Sequence, residues 1–282
     1  MNELPPLIQK RIDRYLPLET EGVTLYPIKV DRIEDFNRCR AALEFMQQSL
    51  PVAMQRIPLL TAFYQIELAT SALEQDGEGK AATLFSDALV LLCLSLRLGE
   101  GMEREQFLER VLVITEKENP AALIEIRLIT DDGGVIVISP AKFARLRRLI
   151  AAQNGAKIPS TDANPEIVNA EREIAAQRAA KIIFNHANKV AWVAALSHAD
   201  EREIYNWPIL MFERRAEVLK RTLDYLTVGI GQASGMVSYK DGNPVPSPYY
   251  ERESEMLPTQ DISTFAGGGA QKAVTNGAKL PQ

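Results

Sequence analysis

His186 and His198 are the two imidazoles of the chain, and Cys39 and Cys93 its two thiols. A metal held on a helix needs a further ligand three or four residues away, but Val190 follows His186 by four and Arg202 follows His198 by four. The spacing predicts ordinary surface or partly buried histidines and no metal. Ser197 is merely adjacent to His198, whereas a nucleophile and its base must converge through space. Two cysteines make neither a disulfide framework nor a multi-cysteine zinc site, and they point to a reducing compartment. Glu171 and Glu173 fall on different faces of a helix, which speaks against paired-carboxylate catalysis. The glycine-rich stretches are no better placed. Gly229 to Gly235 has glycine spacing one residue too long for a dinucleotide loop and ends a helix, and Gly267 to Lys272 lacks the Gly-Lys-Ser/Thr order of a phosphate loop. No catalytic residue, metal or cofactor is expected.

Two other groupings suit contact. From Pro140 to Ser160 the chain carries Lys142, Arg145, Arg147, Arg148 and Lys157 and no acidic residue. Four cations on one short helix could meet phosphates or an acidic protein segment, although a solvated or structural role is the first expectation. The other grouping is apolar: Ile204, Tyr205, Trp207, Ile209, Met211 and Phe212 flank Pro208. Large aromatic side chains of this kind either fill a core, the leading expectation, or anchor in a partner's groove. The helix, break, helix form of this region resembles a DNA-reading pair, but so apolar a helix start does not belong against base edges.

The chain that must position these groups has 282 residues, 46% of them apolar, which is enough for two packed units and a tail. Its 32 Lys and Arg against 37 Asp and Glu give a net charge of −5 and argue against a chain-wide nucleic-acid or anionic-membrane coating. The opening Met-Asn-Glu-Leu-Pro-Pro lacks the basic then apolar order of a secretory signal. Leu84 to Leu98 contains Asp87 and Arg97 and falls short of the roughly 20 residues that cross a bilayer, so a buried helix is predicted there. Amphipathic spacing predicts helices over Arg32 to Gln48 and Val52 to Leu73, the second bent or split at Pro58. Val23 to Val30 reads as a short extended run.

Val111–Thr115, Ala122–Thr130 and Val135–Ser139 carry β-branched residues with alternation, and Asp131-Asp-Gly-Gly134 supplies a hairpin turn. They predict a three-stranded antiparallel meander, with Ile124, Ile126 and Leu128 on one side of its middle strand. Ser139-Pro140 then starts a helix that Asn154-Gly155 closes. Further helices are predicted from Glu166 to about Asn188, Lys189 to Ser197, after an Asp200 start, and from Ile209 to Ser234. The fold class expected is α+β, mainly helical, with a small meander between two helical regions. The expected division is a helical region over 1–100, meander and basic helix over 101–155, a helical unit over 156–237, and a mostly disordered tail over 238–282.

Three segments in order carry a resemblance: Phe143-Ala-Arg-Leu-Arg-Arg-Leu-Ile-Ala-Ala-Gln-Asn154, Glu203-Ile-Tyr-Asn-Trp-Pro-Ile-Leu-Met-Phe212, and Ala233-Ser-Gly-Met-Val-Ser-Tyr239. Over about Ser139 to Tyr250 the chain resembles tail-morphogenesis proteins of tailed bacteriophages and prophages. The resemblance implies a role like a tail assembly chaperone, holding the tape-measure protein until tail tube subunits polymerise, or a minor structural component of the tail. It implies a site of work in the bacterial host cytoplasm or the virion, and no catalytic residues. Met236 and Tyr239 join the contact candidates on this reading, and self-association is compatible with it. The alternative from another class is a nucleic-acid-binding or regulatory protein using helix 140–154; an enzyme assembled from distant residues is the third.

Overall fold

The computed structural model describes residues 4–75, 82–99, 101–158 and 185–235, together with 170 and 174. They form a mainly helical α+β fold with one two-stranded and one three-stranded antiparallel sheet. The chain divides into two compact units, 1–217 and 218–282, and the division falls inside the last described helix.

In the first unit, Pro5 and Pro6 open helix α1, Pro6–Asp13. A hairpin of β1, Leu18–Thr20, and β2, Val23–Leu25, follows. Glu21 and Gly22 between them have φ of 52° and 73°, the pair of positive values that a two-residue type I′ turn requires. Helix α2 spans Ile33–Glu44, shorter than its apolar spacing predicts, because Phe45 is already extended. Gln47 Nε2 then donates to the carbonyls of Gln55 and Ile57, both at 2.8 Å, and holds 51–57 as a turn. Pro58 therefore precedes helix α3, Leu59–Gln75, instead of bending it: the Pro58 carbonyl accepts from Ala62 N–H at 3.0 Å.

Helix α4, Leu84–Leu96, is buried at every residue from Asp87 to Leu96 and packs on both α2 and α3. Its burial all round follows from a sequence with almost no polar face. Arg97, at φ 54°, ends it in the left-handed region. A short helix α5, Arg104–Glu109, is started by Glu103 and Gln106 bonding reciprocally. The sheet follows in the order β3 (Val111–Thr115), β4 (Leu123–Ile129), β5 (Val135–Ile138).

The register pairs Val113 with Ile126 and Ile114 with Glu125, but Thr115 with Leu123, so Ile124 is an extra residue in a β-bulge. The bulge corrects the expected alternation: Leu123, Ile126 and Leu128 are buried and Ile124 is 48% exposed. The β4–β5 turn places Gly133 at φ 80° after Asp131 and Asp132, a three-residue loop in which one glycine takes the left-handed position.

Helix α6, Pro140–Gln153, starts as its sequence predicts, with Ser139 Oγ accepting from Lys142 N–H at 3.2 Å. It packs on α2, α3 and β4. Its last residue and the next are buried polar clamps. Asn154 Oδ1 accepts from Ile28 N–H at 2.8 Å, and Gln153 Nε2 donates to the carbonyls of Leu16 and Leu25. Asn185 caps helix α7, His186–Ser197, so the residues up to Asn188 belong to α7 and not to a preceding helix; most of that preceding helix lies outside the described residues. Asp200 caps α8, Glu201–Tyr205, by accepting from Arg202 N–H, while Glu203 turns to Trp207 instead of completing a capping box. Helix α9 is Ile209–Ala233. Residues 28–30 run beside 207–209: Val30 N–H donates to the Trp207 carbonyl and Ile209 N–H to the Ile28 carbonyl, both at 2.9 Å.

Candidate interaction surfaces

Among the described residues no group of three or more His, Cys, Asp and Glu could hold a metal ion. His186 Nε2 lies 3.0 Å from Asn37 Nδ2 in an exposed contact, and His198 ends α7 with φ 55°. A buried polar cluster joins α2, α4 and α5. Asp87, 4% exposed, accepts from Arg104 at 2.5 Å and from Thr83 Oγ1 at 3.0 Å, and the Cys39 thiol sits 3.6 Å from it. Burial, then the Asp87 charge, push the Cys39 thiol up to about 12, and burial does the same to Cys93. Both thiols are held in their unreactive neutral form. The cluster ties helices together.

The four cations of the basic helix do not form one patch. Arg147 turns inward and donates to the Leu43 and Phe45 carbonyls, each at 2.5 Å, closing the C-terminal end of α2. Burial, with Arg148 beside it, lowers its guanidinium to about 10, so it keeps its charge at neutral pH. Arg145 pairs with Glu21 in the β1–β2 turn at 2.7 Å, and Lys142 Nζ donates to the Val137 carbonyl at 3.1 Å. Among the described residues Arg148 makes neither hydrogen bond nor ion pair, and it is exposed.

The apolar grouping around Pro208 is core. Ile204, Trp207, Ile209 and Phe212 are buried, with Ile204 and Phe212 at 0% exposure. Arg215 covers the Trp207 ring at 4.2 Å, and Lys189 stands over Phe212 while pairing with Glu213. These four residues follow the leading expectation, a core role. Tyr205 is exposed and Met211 partly so. Met236 and Tyr239 lie outside the described residues, as do the expected 238–282 tail and Gly267 to Lys272.

The open apolar surfaces lie elsewhere. A groove of about 310 Å³, open to solvent, runs between α3 (Tyr64, Leu68, Ser71), the start of α4 (Phe85, Leu89), Leu108, and Val111 and Val113 of β3. The carboxylate that lines it is already engaged. Glu67 accepts from the N–H groups of Phe85 and Ser86, both at 3.0 Å, and from Ser86 Oγ, so its carboxylate caps α4 from the neighbouring helix. Thr83, at the N-cap, has its hydroxyl turned to Asp87. A polar small molecule would find few free partners in this groove, whereas apolar side chains fit it.

Beside the groove, β3 is an edge strand. Ile129 N–H bonds the Arg110 carbonyl and Glu116 N–H bonds the Ala122 carbonyl, so the even-numbered residues of β3 face β4. Val111, Val113 and Thr115 direct their N–H and C=O groups outward. The other edge, β5, is four residues long and has the Lys142 ammonium on its outward Val137 carbonyl.

The sequence signal for β3 is its run Val-Leu-Val-Ile: a strand apolar on both faces needs cover on both, and Leu112 and Val113 are 49% and 37% exposed. Reading for charges and aromatic clusters passes over it.

In the second unit, the continuation of α9 carries Leu219, Leu223, Leu226 and Ile230, spaced by four, three and four. Leu223, Leu226 and Ile230 are 40%, 51% and 68% exposed. Among the described residues no helix is long and apolar enough to cross a membrane. No family model, curated protein or solved structure matches this chain.

Proposed function

We propose that this chain acts by binding other proteins, as a non-enzymatic assembly factor of the phage tail-morphogenesis kind. On this reading it holds the helical tape-measure protein in the host cytoplasm until tube subunits polymerise, or it joins the tail as a minor component. Neither role needs a metal or cofactor. The observation that carries the reading is the exposed stripe of Leu223, Leu226 and Ile230 on the last turns of α9. Apolar residues alternating by three and four along a helix seat against another helix and leave the charged flanks in water. The order of the three segments ending at Asn154, Phe212 and Tyr239 supports the tail assignment.

The nucleic-acid alternative gains little support from helix 140–154, where Arg147 is bound to carbonyls and Arg145 to Glu21. Co-expression with the tape-measure protein of the same gene cluster tests the proposal. The expected result is a higher soluble yield of that protein and a complex that co-purifies, both lost in the double variant Leu226→Asp/Ile230→Asp. A complex that does not form, or one that ignores those two changes, refutes it.

A further inference from the structure

We infer that the open edge of β3 and the groove beneath it form a second site, which takes an extended, cationic segment of another polypeptide as a fourth strand. The inference concerns residues 64–74, 85–89 and 108–118 and does not rest on the helix stripe. Three features converge on it.

First, the outward groups of Val111, Val113 and Thr115 are a template for main-chain pairing, and the structure leaves them without a partner among the described residues. Second, side chains on an added strand alternate, so those lying opposite Val111 and Val113 would enter the layer below the sheet. That layer is the groove, where Tyr64, Leu68, Phe85 and Leu89 offer apolar walls across about 310 Å³. Main-chain bonds supply affinity in such an arrangement, and the pocket selects every second side chain.

Third, the charge around the edge is predominantly negative. Glu109 precedes β3 and Glu116 and Glu118 follow it, all exposed, against Lys117 alone. The neighbouring cation, Arg110, is committed to Asp131. Glu67 adds a carboxylate at the floor of the groove, and Glu74 a further exposed one on α3. An incoming strand with Lys or Arg flanking its apolar positions matches this field, and an acidic one is repelled. Val113 sits at the centre of both features, because its main chain faces the edge and its side chain lines the groove.

The experiment pans a yeast-displayed library of random ten-residue peptides against the full chain, then measures the enriched peptides by fluorescence anisotropy and by amide hydrogen exchange of the protein. Enriched sequences should place apolar residues at alternate positions and carry Lys or Arg. Exchange should slow at Val111, Val113 and Thr115. Val113→Pro, which removes the central outward N–H, should weaken binding at least tenfold. Glu109→Lys/Glu116→Lys should weaken it and flatten its salt dependence. Should Val113→Pro fail to fold, Leu68→Lys on the exposed face of α3 places a like charge in the groove and is expected to give the same loss with an unchanged melting temperature.

No enrichment, enrichment of acidic or helically spaced peptides, protection elsewhere, or binding untouched by these variants would overturn the inference. A dimer of the parent protein dissolved by the same edge variants would also overturn it, by assigning the edge to a second copy.

Discussion

Replacing Arg104 with Met removes the cation beside Asp87 while keeping most of the aliphatic volume of the side chain. Asp87 is 4% exposed, its Oδ1 lies 2.5 Å from the guanidinium, and Arg104 itself retains only 15% side-chain exposure. Breaking one partner out of a buried pair typically costs about 3–5 kcal/mol, because the remaining charge stays desolvated. The lower end applies here, since Thr83 Oγ1 at 3.0 Å and the Cys39 thiol at 3.6 Å still donate to the carboxylate. Arg104→Met should therefore lower stability by roughly 3 kcal/mol. Changing Asp87 to Asn as well removes the stranded charge and leaves an acceptor for Thr83. The double variant should then sit only about 1–2 kcal/mol below the parent, the scale of one lost hydrogen bond to a neutral group. Urea titration followed by Trp192 and Trp207 fluorescence reads the unit that holds the cluster. A single-variant loss below about 1 kcal/mol, the scale of a surface pair, or two losses that simply add, would refute the reasoning.

The two thiols give a pH dependence of definite sign. Cys39 and Cys93 stand near 12 when folded against an ordinary 9.0, so the unfolded chain ionises first and stability falls as pH rises above 9, by about 1.4 kcal/mol per pH unit for each thiol. Urea midpoints between pH 9 and 10.5 should show that slope, and Cys39→Ala/Cys93→Ala should flatten it; an equal slope in both proteins would contradict it. Asn154→Leu leaves the buried Ile28 N–H without its acceptor and should cost about 1–3 kcal/mol, with faster exchange at Ile28; unchanged exchange there would contradict it.

Local signals marked most elements correctly because local physics sets them. Ser139-Pro140 and Gly155 bound α6 through a cap, a fixed φ and a left-handed exit, and Leu84 to Leu96 is too apolar to face water anywhere. Where the reading missed, a distant partner decided. Nothing within Arg32 to Gln48 announces that α2 ends at Glu44; Arg147, a hundred residues on, closes its carbonyls. Pro58 opens α3 because Gln47 reaches across to hold the preceding turn. Ile124 leaves the buried side because β3 and β4 together form the bulge.

Four cations in one stretch looked like a patch only while the carbonyls and Glu21 that receive three of them were unseen. The Gln-Asn pair closing α6 has a physical role of its own, since both side chains are buried clamps on 16–28. The β3 edge was the least legible feature, because an open strand edge depends on what the other described residues do not place beside it.

The unequal treatment of the sheet's two borders limits how this protein can assemble. Strand-by-strand polymerisation needs every subunit to offer two joinable borders, one to receive and one to extend. Here the Lys142 ammonium guards the outward Val137 carbonyl of one border, while among the described residues the β3 border carries no such guard. Addition of a strand along β3 is thereby favoured over addition along β5, and head-to-tail stacking of this sheet through both borders is disfavoured.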